Sequence, residues 1–407
     1  MRAEWKTVTL GDVAEFVRGI NFKPDDVVPT GTPGSVACMR TKNVQAELDL
    51  SDVWSVGEQF VRREDQFLQA GDVLVSSANS WNLVGKCCWI PELPGRASFG
   101  GFVSVLRSHR AKVEPRFLFR WFSSDRIQTT VRSFGQQTTN ISNLNTDRCL
   151  NLPLPLPPLA EQRQIAEVLD RAEALRAKRR AALAQLDTLT QSLFLNLFGD
   201  DGANRKKWPV RAVADYVREF QGGKSIEAES SENTVTRNRV LKVSAVTGMK
   251  FLVHESKPVP DSYEPPKEHF AKPGDLLFSR ANTTELVGAV AYVESTPSNV
   301  LLPDKLWRFV WRDPDAIEPL FVWSLFQTPT LRREIGRRAT GTSGSMKNIS
   351  QEKVFGIKTI LPPITLQREF ARRVSAVTQL KAAQRASLAE LDALFASLQH
   401  RAFRGEL

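Results

Sequence analysis

Cysteine and histidine are scarce in this chain of 407 residues, with four of each. Cys38, Cys87, Cys88 and Cys149 form no Cys-x-x-Cys pair, and His109, His254, His269 and His400 lie far apart. A zinc site or a disulfide framework is therefore not indicated. Long apolar runs are also missing: the opening MRAEWKTVTLGD has no apolar signal core, and no stretch approaches the roughly 18 apolar residues of a membrane span. This points to a cytoplasmic protein without a membrane partner. A phosphate loop is absent too. Gly222-Gly223-Lys224-Ser225 resembles the end of one, but Arg218 stands where the pattern needs a glycine. Pro260-Asp261 is followed by Glu264-Pro265-Pro266-Lys267, whose prolines break any metal-binding strand there.

What is present is repetition. A shift of 205 positions lays Pro157-Pro158 on Pro362-Pro363, Gln162-Arg163 on Gln367-Arg368, Leu186-Asp187 on Leu391-Asp392, Ser192-Leu193 on Ser397-Leu398 and Phe198 on Phe403. Both copies are proline-free after their lead and rich in Ala, Leu, Gln, Glu and Arg, so each is expected as a long helix. Gly199 and Gly405 are their expected stops. At about 1.5 Å per residue a helix of about 39 residues is roughly 58 Å long, and such a rod must pack on a partner. Val168, Ala172, Leu175, Arg179, Ala182, Leu186, Leu189 and Leu193 recur in steps of four and three, as do Phe370, Val374, Val377, Leu388, Leu391, Phe395 and Leu398 in most of the second copy. These are expected coiled-coil seams, and burying both favours an antiparallel pair.

The segments between the helices repeat as well. At a shift of 203, Trp5 falls on Trp208, Asp12 on Asp215, Gly19 on Gly222, Gly71-Asp72-Val73-Leu74 on Gly274-Asp275-Leu276-Leu277, Ala78-Asn79 on Ala281-Asn282 and Val84-Gly85 on Val287-Gly288. Runs at Val73 to Val75, Val84 to Ile90, Val240 to Val246 and Val287 to Val293 are expected as strands. The Gly-Asp pairs read as tight turns, and Glu114 to Ser133 and Glu318 to Arg338 carry helical periodicity. The expected fold is α+β. Two mixed globules at 1–155 and 201–360, related by a pseudo-twofold repeat, alternate with helices at 156–200 and 361–407.

Formal net charge is +10 and the sequence pI about 9.5. The excess is spread as +2, 0, +5 and +3 over the four segments in order. Such a balance suits a polyanionic partner.

These features together resemble the specificity subunit of type I restriction-modification systems. The resemblance rests on Leu154 to Arg163 and its weaker partner Leu361 to Arg368, on Trp5 to Asp12, on the Gly71 element with its repeat, and on Asn140 to Ser142 and Asn348 to Ser350. The second helix departs at Thr365-Leu366, where the first has Ala160-Glu161. The resemblance implies a non-catalytic subunit with two target-recognition domains, each reading one half of a bipartite site in double-stranded DNA. Its helices would set the spacing and receive two modification subunits. Those partners would use S-adenosylmethionine to methylate adenine N6, and restriction subunits can join them. Consistent with that division, the chain lacks the Asn/Asp-Pro-Pro-aromatic segment of an adenine methyltransferase; Asp313-Pro314-Asp315 does not supply it. An enzyme with an unfamiliar site and a protein-binding coiled-coil scaffold are the other function classes, and neither accounts for paired globules with polar, amide-rich loops.

Asn and Gln pair with adenine N6/N7 and Arg with guanine O6/N7, whereas Lys mostly meets phosphate. Candidate DNA contacts in the first globule are therefore Arg40, Lys42 and Asn43, the loop residues Ser77, Asn79 and Trp81, and Gln136, Gln137 and Asn140. In the second they are Lys242, Ser244, Arg280, Asn282, Thr283, Ser343, Lys347 and Asn348. The groups Arg176/Lys178/Arg179/Arg180 and Arg332/Arg333/Arg337/Arg338 are read either as phosphate contacts or as solvated helix faces.

Overall fold

The computed structural model describes the chain except residues 1–4, 138–140, 201, 227–236, 261 and 344–345, and the side chains of 342 and 343. Two compact units emerge. The first is Met1–Arg180 with Ser387–Leu407, and the second is Ala181–Ala386. The two long helices are α1, Leu159–Phe198, and α2, Ile364–Ala402. Each unit thus owns the first half of one helix and the second half of the other.

In the first unit a four-stranded antiparallel sheet runs in the order Ala14–Arg18, Val103–Ser108, Val73–Ser76, Cys87–Trp89. Alternate residues point to opposite faces. Val73, Val75 and Leu106 accordingly join one core with Phe117 and Phe122 of the helix Pro115–Phe122, while Leu74 and Val105 join another with Phe99 and Ile90. With both faces covered, the strand is apolar throughout rather than alternating. The second unit repeats the sheet as Val217–Gly222, Leu306–Trp311, Leu276–Ser279 and Val290–Tyr292. Besides the two-stranded pair of Lys6–Thr9 with Pro153–Leu156, or of Val210–Ala212 with Lys358–Ile360, two further sheets accompany each. One pairs Ser35–Met39 in parallel with Ala97–Phe99, or Arg239–Leu241 with Val300–Leu301. The other joins Ala78–Asn79, Ser142–Leu144 and Gly135–Gln137, or Ala281–Asn282, Met346–Asn348 and Thr340–Ser343.

The expected helical pieces are each two helices. Pro115–Phe122 and Asp125–Ser133 are separated at Ser123-Ser124, and Pro319–Leu325 and Pro329–Arg338 at Phe326–Thr328. The breaks have a local cause: Ser124 and Thr328 are N-caps in extended conformation, and Pro329 opens its helix without an N–H to donate. The run Val240 to Val246 is likewise not one strand, since it turns into the short helix Ser244–Thr247.

The Gly-Asp turns form as expected, with Gly71 and Gly274 at φ of +98° and +92°. Asp72 accepts from the Gln69 N–H and Asp275 from the Lys272 N–H, both at 2.8 Å. Each acid also meets an arginine from a strand of the central sheet, Arg308 buried and Arg107 half-buried. Arg107 donates to both Asp72 oxygens at 2.9 and 2.6 Å, and to the carbonyls of Asp65 and Phe67. Arg308 pairs with Asp275 at 3.0 Å and donates to the carbonyls of Phe270 and Glu268. Burial pushes the Asp275 carboxyl above its ordinary range, and the Arg308 charge opposes that rise.

The repeated Pro-Pro-x-x-x-Gln motif is a joint. Gln162 is buried; it donates to the Pro157 carbonyl at 2.7 Å and accepts from the Glu114 N–H at 2.8 Å. Gln367 does the same with Pro362 at 2.8 Å and Glu318 at 3.0 Å. One amide therefore fixes the helix start to the start of the neighbouring helix. We expect Gln162→Ala to destabilise the first unit by about 1–3 kcal/mol for each group left unpaired. Arg163→Ala, whose 3.4 Å ion pair is exposed, should cost under about 1 kcal/mol. Equal shifts of the denaturant midpoint for the two variants would refute the joint.

Within each unit the helix segments run antiparallel. In the first, Arg176 meets Asp392 at 2.6 Å while Ile165 and Leu169 share a core with Ala402. In the second, Asp187 meets Lys381 at 3.0 Å while Phe198 packs on Phe370 with ring centroids 5.5 Å apart. The α2 seam is buried or half-buried at all seven expected positions, and the α1 seam at five of its eight. Ala172, Arg179, Ala182, Leu186 and Leu193 are half-buried, whereas Val168, Leu175 and Leu189 are 41%, 54% and 37% exposed. The inward positions beside them are Leu169, Arg176 and Thr190, one residue later in each case. At these three places a hydrophobic pattern selects the neighbouring residue, because the inward positions include an arginine and a threonine.

Phe198 packs on Phe321 in the second unit with centroids 4.9 Å apart, and Phe403 packs on Phe117 in the first at 5.6 Å. A Cβ on Gly405 would lie 3.5 Å from the Trp5 ring, and Trp208 donates its indole N–H to the Phe198 carbonyl at 2.9 Å. The end of α2 therefore serves the first unit as the end of α1 serves the second.

Candidate nucleic-acid interface

In the first unit the strand Val73–Ser76 leaves the central sheet and its continuation pairs elsewhere. The N–H groups of Ser77 and Ala78 both donate to the Phe102 carbonyl at 3.0 Å, which turns the chain into the small sheet with Ser142–Leu144. Asn79 stands in that sheet beside Ser142; its amide donates to Ser76 Oγ at 3.0 Å, and its carbonyl oxygen accepts from the Ser80 N–H at 2.8 Å. Gln136 and Gln137 lie on the outer strand of the same sheet, opposite Asn143 and Ser142, with exposed side chains. Trp81 is exposed nearby, and Asn140 lies outside the described residues.

The second unit gathers its candidates in the matching sheet. Asn282 pairs with Lys347, and Asn348 stands between Ala281 and Thr340. Asn282 accepts from the Thr283 N–H at 2.9 Å and donates to Thr247 Oγ1 at 3.4 Å. Lys347 reaches the Gly341 carbonyl at 2.8 Å. The Ser343 side chain lies outside the described residues. Arg280 precedes the sheet, donating to the Asp304 carbonyl at 3.1 Å with its guanidinium 5.7 Å from the Trp307 ring centroid. Trp307 is buried, stacked on Phe278 at 6.0 Å, and belongs to the core.

Arg40 and Lys42 belong to a separate loop. Lys42 holds Asp52 at 2.6 Å, and that hydrogen bond is the main cause of the lowered Asp52 pKa. Arg40 also meets Asp52, at 3.2 Å, and lies over Trp54 at 3.7 Å. Asn43 is a correction to the sequence reading. It is buried, accepts from the Arg40 N–H at 2.7 Å and donates to the carbonyls of Asp49 and Asp52 at 2.7 and 3.0 Å. With its amide committed on both sides, it shapes the loop and has no edge left for a base. In the second unit Lys242 and Ser244 are exposed, but the Ser244 hydroxyl donates to Glu255 at 2.6 Å and thereby lowers that carboxyl's pKa.

The arginine groups divide in the same way. Arg176 is held by Glu173 and Asp392, Arg337 and Arg338 by Glu334, and Arg332 donates to the carbonyls of Glu285 and Val287 at 2.7 and 2.9 Å. These side chains bind their own chain. Sequence reasoning missed Phe102, whose only local signal is its position after Gly100-Gly101, and it missed Arg107 and Arg308, visible as lone charges in apolar strands.

The family described as the type I restriction modification DNA specificity domain matches residues 2–185. The specificity subunit of the type I restriction enzyme EcoKI of Escherichia coli K12 is 26% identical, over 99% of this chain and 89% of that protein. That of StySPI from Salmonella potsdam is 22% identical over the same shares. Among solved structures, a chain from a study of assembly and conformational transition of the type I R-M system aligns with a TM-score of 0.58 at 20% identity, covering 100% of this chain and 99% of that one. The S subunit from M. genitalium aligns at 0.56 and 15%, covering 98% and 96%.

Proposed function

The chain belongs to the non-catalytic specificity subunits of type I restriction-modification systems, and from that premise we propose that each of its two recognition domains, 1–155 and 201–360, reads one half of a bipartite site in double-stranded DNA. The observation that carries this reading is the duplicated small sheet: Asn79 with Gln136 and Gln137 in one unit, Asn282 with Lys347 and Asn348 in the other. Amides and cations set on paired strands are what base edges and phosphates require. Arg40, Lys42, Ser77, Trp81, Lys242, Ser244, Arg280 and Thr283 flank these sheets or the neighbouring loop as further proposed contacts.

The helical segments 156–200 and 361–407 we assign to half-site spacing and to docking two modification subunits in the cytoplasm, with restriction subunits joining them. Exposed apolar positions support the docking: Val168, Leu175 and Leu394 in the first unit, Leu189, Leu195 and Leu380 in the second. One such set per unit suits two copies of one partner. No helix among the described residues is long and apolar enough to cross a membrane.

Selection from a randomised duplex pool by the chain with its modification subunits tests the reading. A bipartite motif is expected, with affinity falling roughly a thousandfold or more between about 50 and 200 mM salt if six or more phosphates are contacted. Retention of all sequences alike would overturn it.

A further inference from the structure

The loop that carries Arg40 closes one side of a cavity of about 390 Å³ in the first unit, lined also by Phe22, Trp54, Gly100, Gly101 and Phe102. Its walls are aromatic and fixed. Trp54 meets Phe22 edge to face at 6.2 Å and carries the Arg40 guanidinium on its ring. Phe102 is 64% exposed, although its backbone carbonyl is pinned by two N–H groups from the strand that leads to Asn79. The Nε–H of Arg40 is buried with no acceptor among the described residues. An exposed aromatic on a pinned backbone beside a guanidinium that lines the same cavity suits a flat, acceptor-bearing ligand.

The second unit supplies a comparison. Cys38 pairs with Ser98 and Trp54, and Val240 pairs with Leu301 and Lys257, so Lys257 occupies the place of Trp54, and Lys242 that of Arg40. Lys305 takes the place of Phe102, since its carbonyl accepts from the Arg280 N–H as that of Phe102 does from Ser77. Three positions that carry an arginine and two aromatics in one unit carry three lysines in the other. Lysine meets phosphate, whereas an aromatic ring stacks on a base.

Resting on the DNA-reading role above, we propose that Phe102 and Arg40 form a single-base subsite, with a guanine stacked on the Phe102 ring and its N7/O6 edge turned to the Arg40 guanidinium. The matching surface of the second unit, at Lys242 and Lys305, contacts backbone phosphate and reads no base.

The test uses the full chain with its modification subunits and a randomised duplex pool. Wild type should show a guanine position in one half-site, and Phe102→Ala should lower selectivity there roughly tenfold or more while leaving the other half-site unchanged. Arg40→Lys should flatten the same position. Phe102→Lys should also flatten it, yet make the logarithmic salt dependence steeper by about one. Because Phe102 is exposed, its variants keep the core intact. An unchanged motif in Phe102→Ala, or loss at different positions in the Phe102 and Arg40 variants, would overturn the subsite while leaving the DNA-reading role in place. A wild-type complex that selects no motif would overturn that role itself.

Discussion

Exchanging residues 181–386 for the matching unit of another specificity subunit is expected to change one half of the recognised sequence and leave the other half intact. The natural segment boundaries at 201 and 360 are the worse place to cut. Phe194 and Phe198 of α1 and Phe370 and Val374 of α2 sit in one core with Phe321, Phe326 and Ile335 of the second unit. An exchange of 201–360 alone would set host phenylalanines against foreign partners, and a cavity or clash at such a site costs about 1–5 kcal/mol. The larger exchange carries its own core with it. Sequencing methylated adenines across a genome would read both half-sites and their gap. Specific sites are favoured over non-specific DNA by roughly 10³- to 10⁷-fold, so the change in the exchanged half should be close to complete. If both halves changed together, independent reading would be wrong.

Asp72→Ala is expected to be among the most damaging single substitutions in the first unit. It strips the buried partner from Arg107, which is half-buried on the central sheet and bound to two carbonyls besides. A buried charge without its partner costs about 3–5 kcal/mol. At about 2–4 °C per kcal/mol for a unit of this size, the corresponding melting transition should fall by roughly 6–20 °C. Replacing both partners, as in Asp72→Ala with Arg107→Met, should recover much of the loss, because no charge is then stranded. Asp275→Asn should be milder. Burial already works against ionisation of Asp275, and the amide oxygen can still accept from the Lys272 N–H. Calorimetry on the four proteins would decide, and a shift under about 1 kcal/mol for Asp72→Ala would show that the pair is dispensable.

The duplication, the two long helices and the Gly-Asp turns were all legible in the sequence, because each is written as a local pattern or as an exact spacing between copies. The family was legible for the same reason. What each motif does was not. The Gln162 and Gln367 amides tie together segments 48 and 49 residues apart, a closure that no local pattern encodes. Three positions of the α1 seam were misplaced by one residue because side-chain polarity is a poor guide where a helix pair sets Arg176 against Asp392 rather than leucine against leucine. Asn43 looked like a reader and proved to be a loop brace, since a side chain's free edges are known only once its neighbours are. Phe102 stood unnoticed for the converse reason. A phenylalanine is buried by default, and only the tertiary structure, which pins its carbonyl between strands, leaves this ring facing solvent beside Arg40.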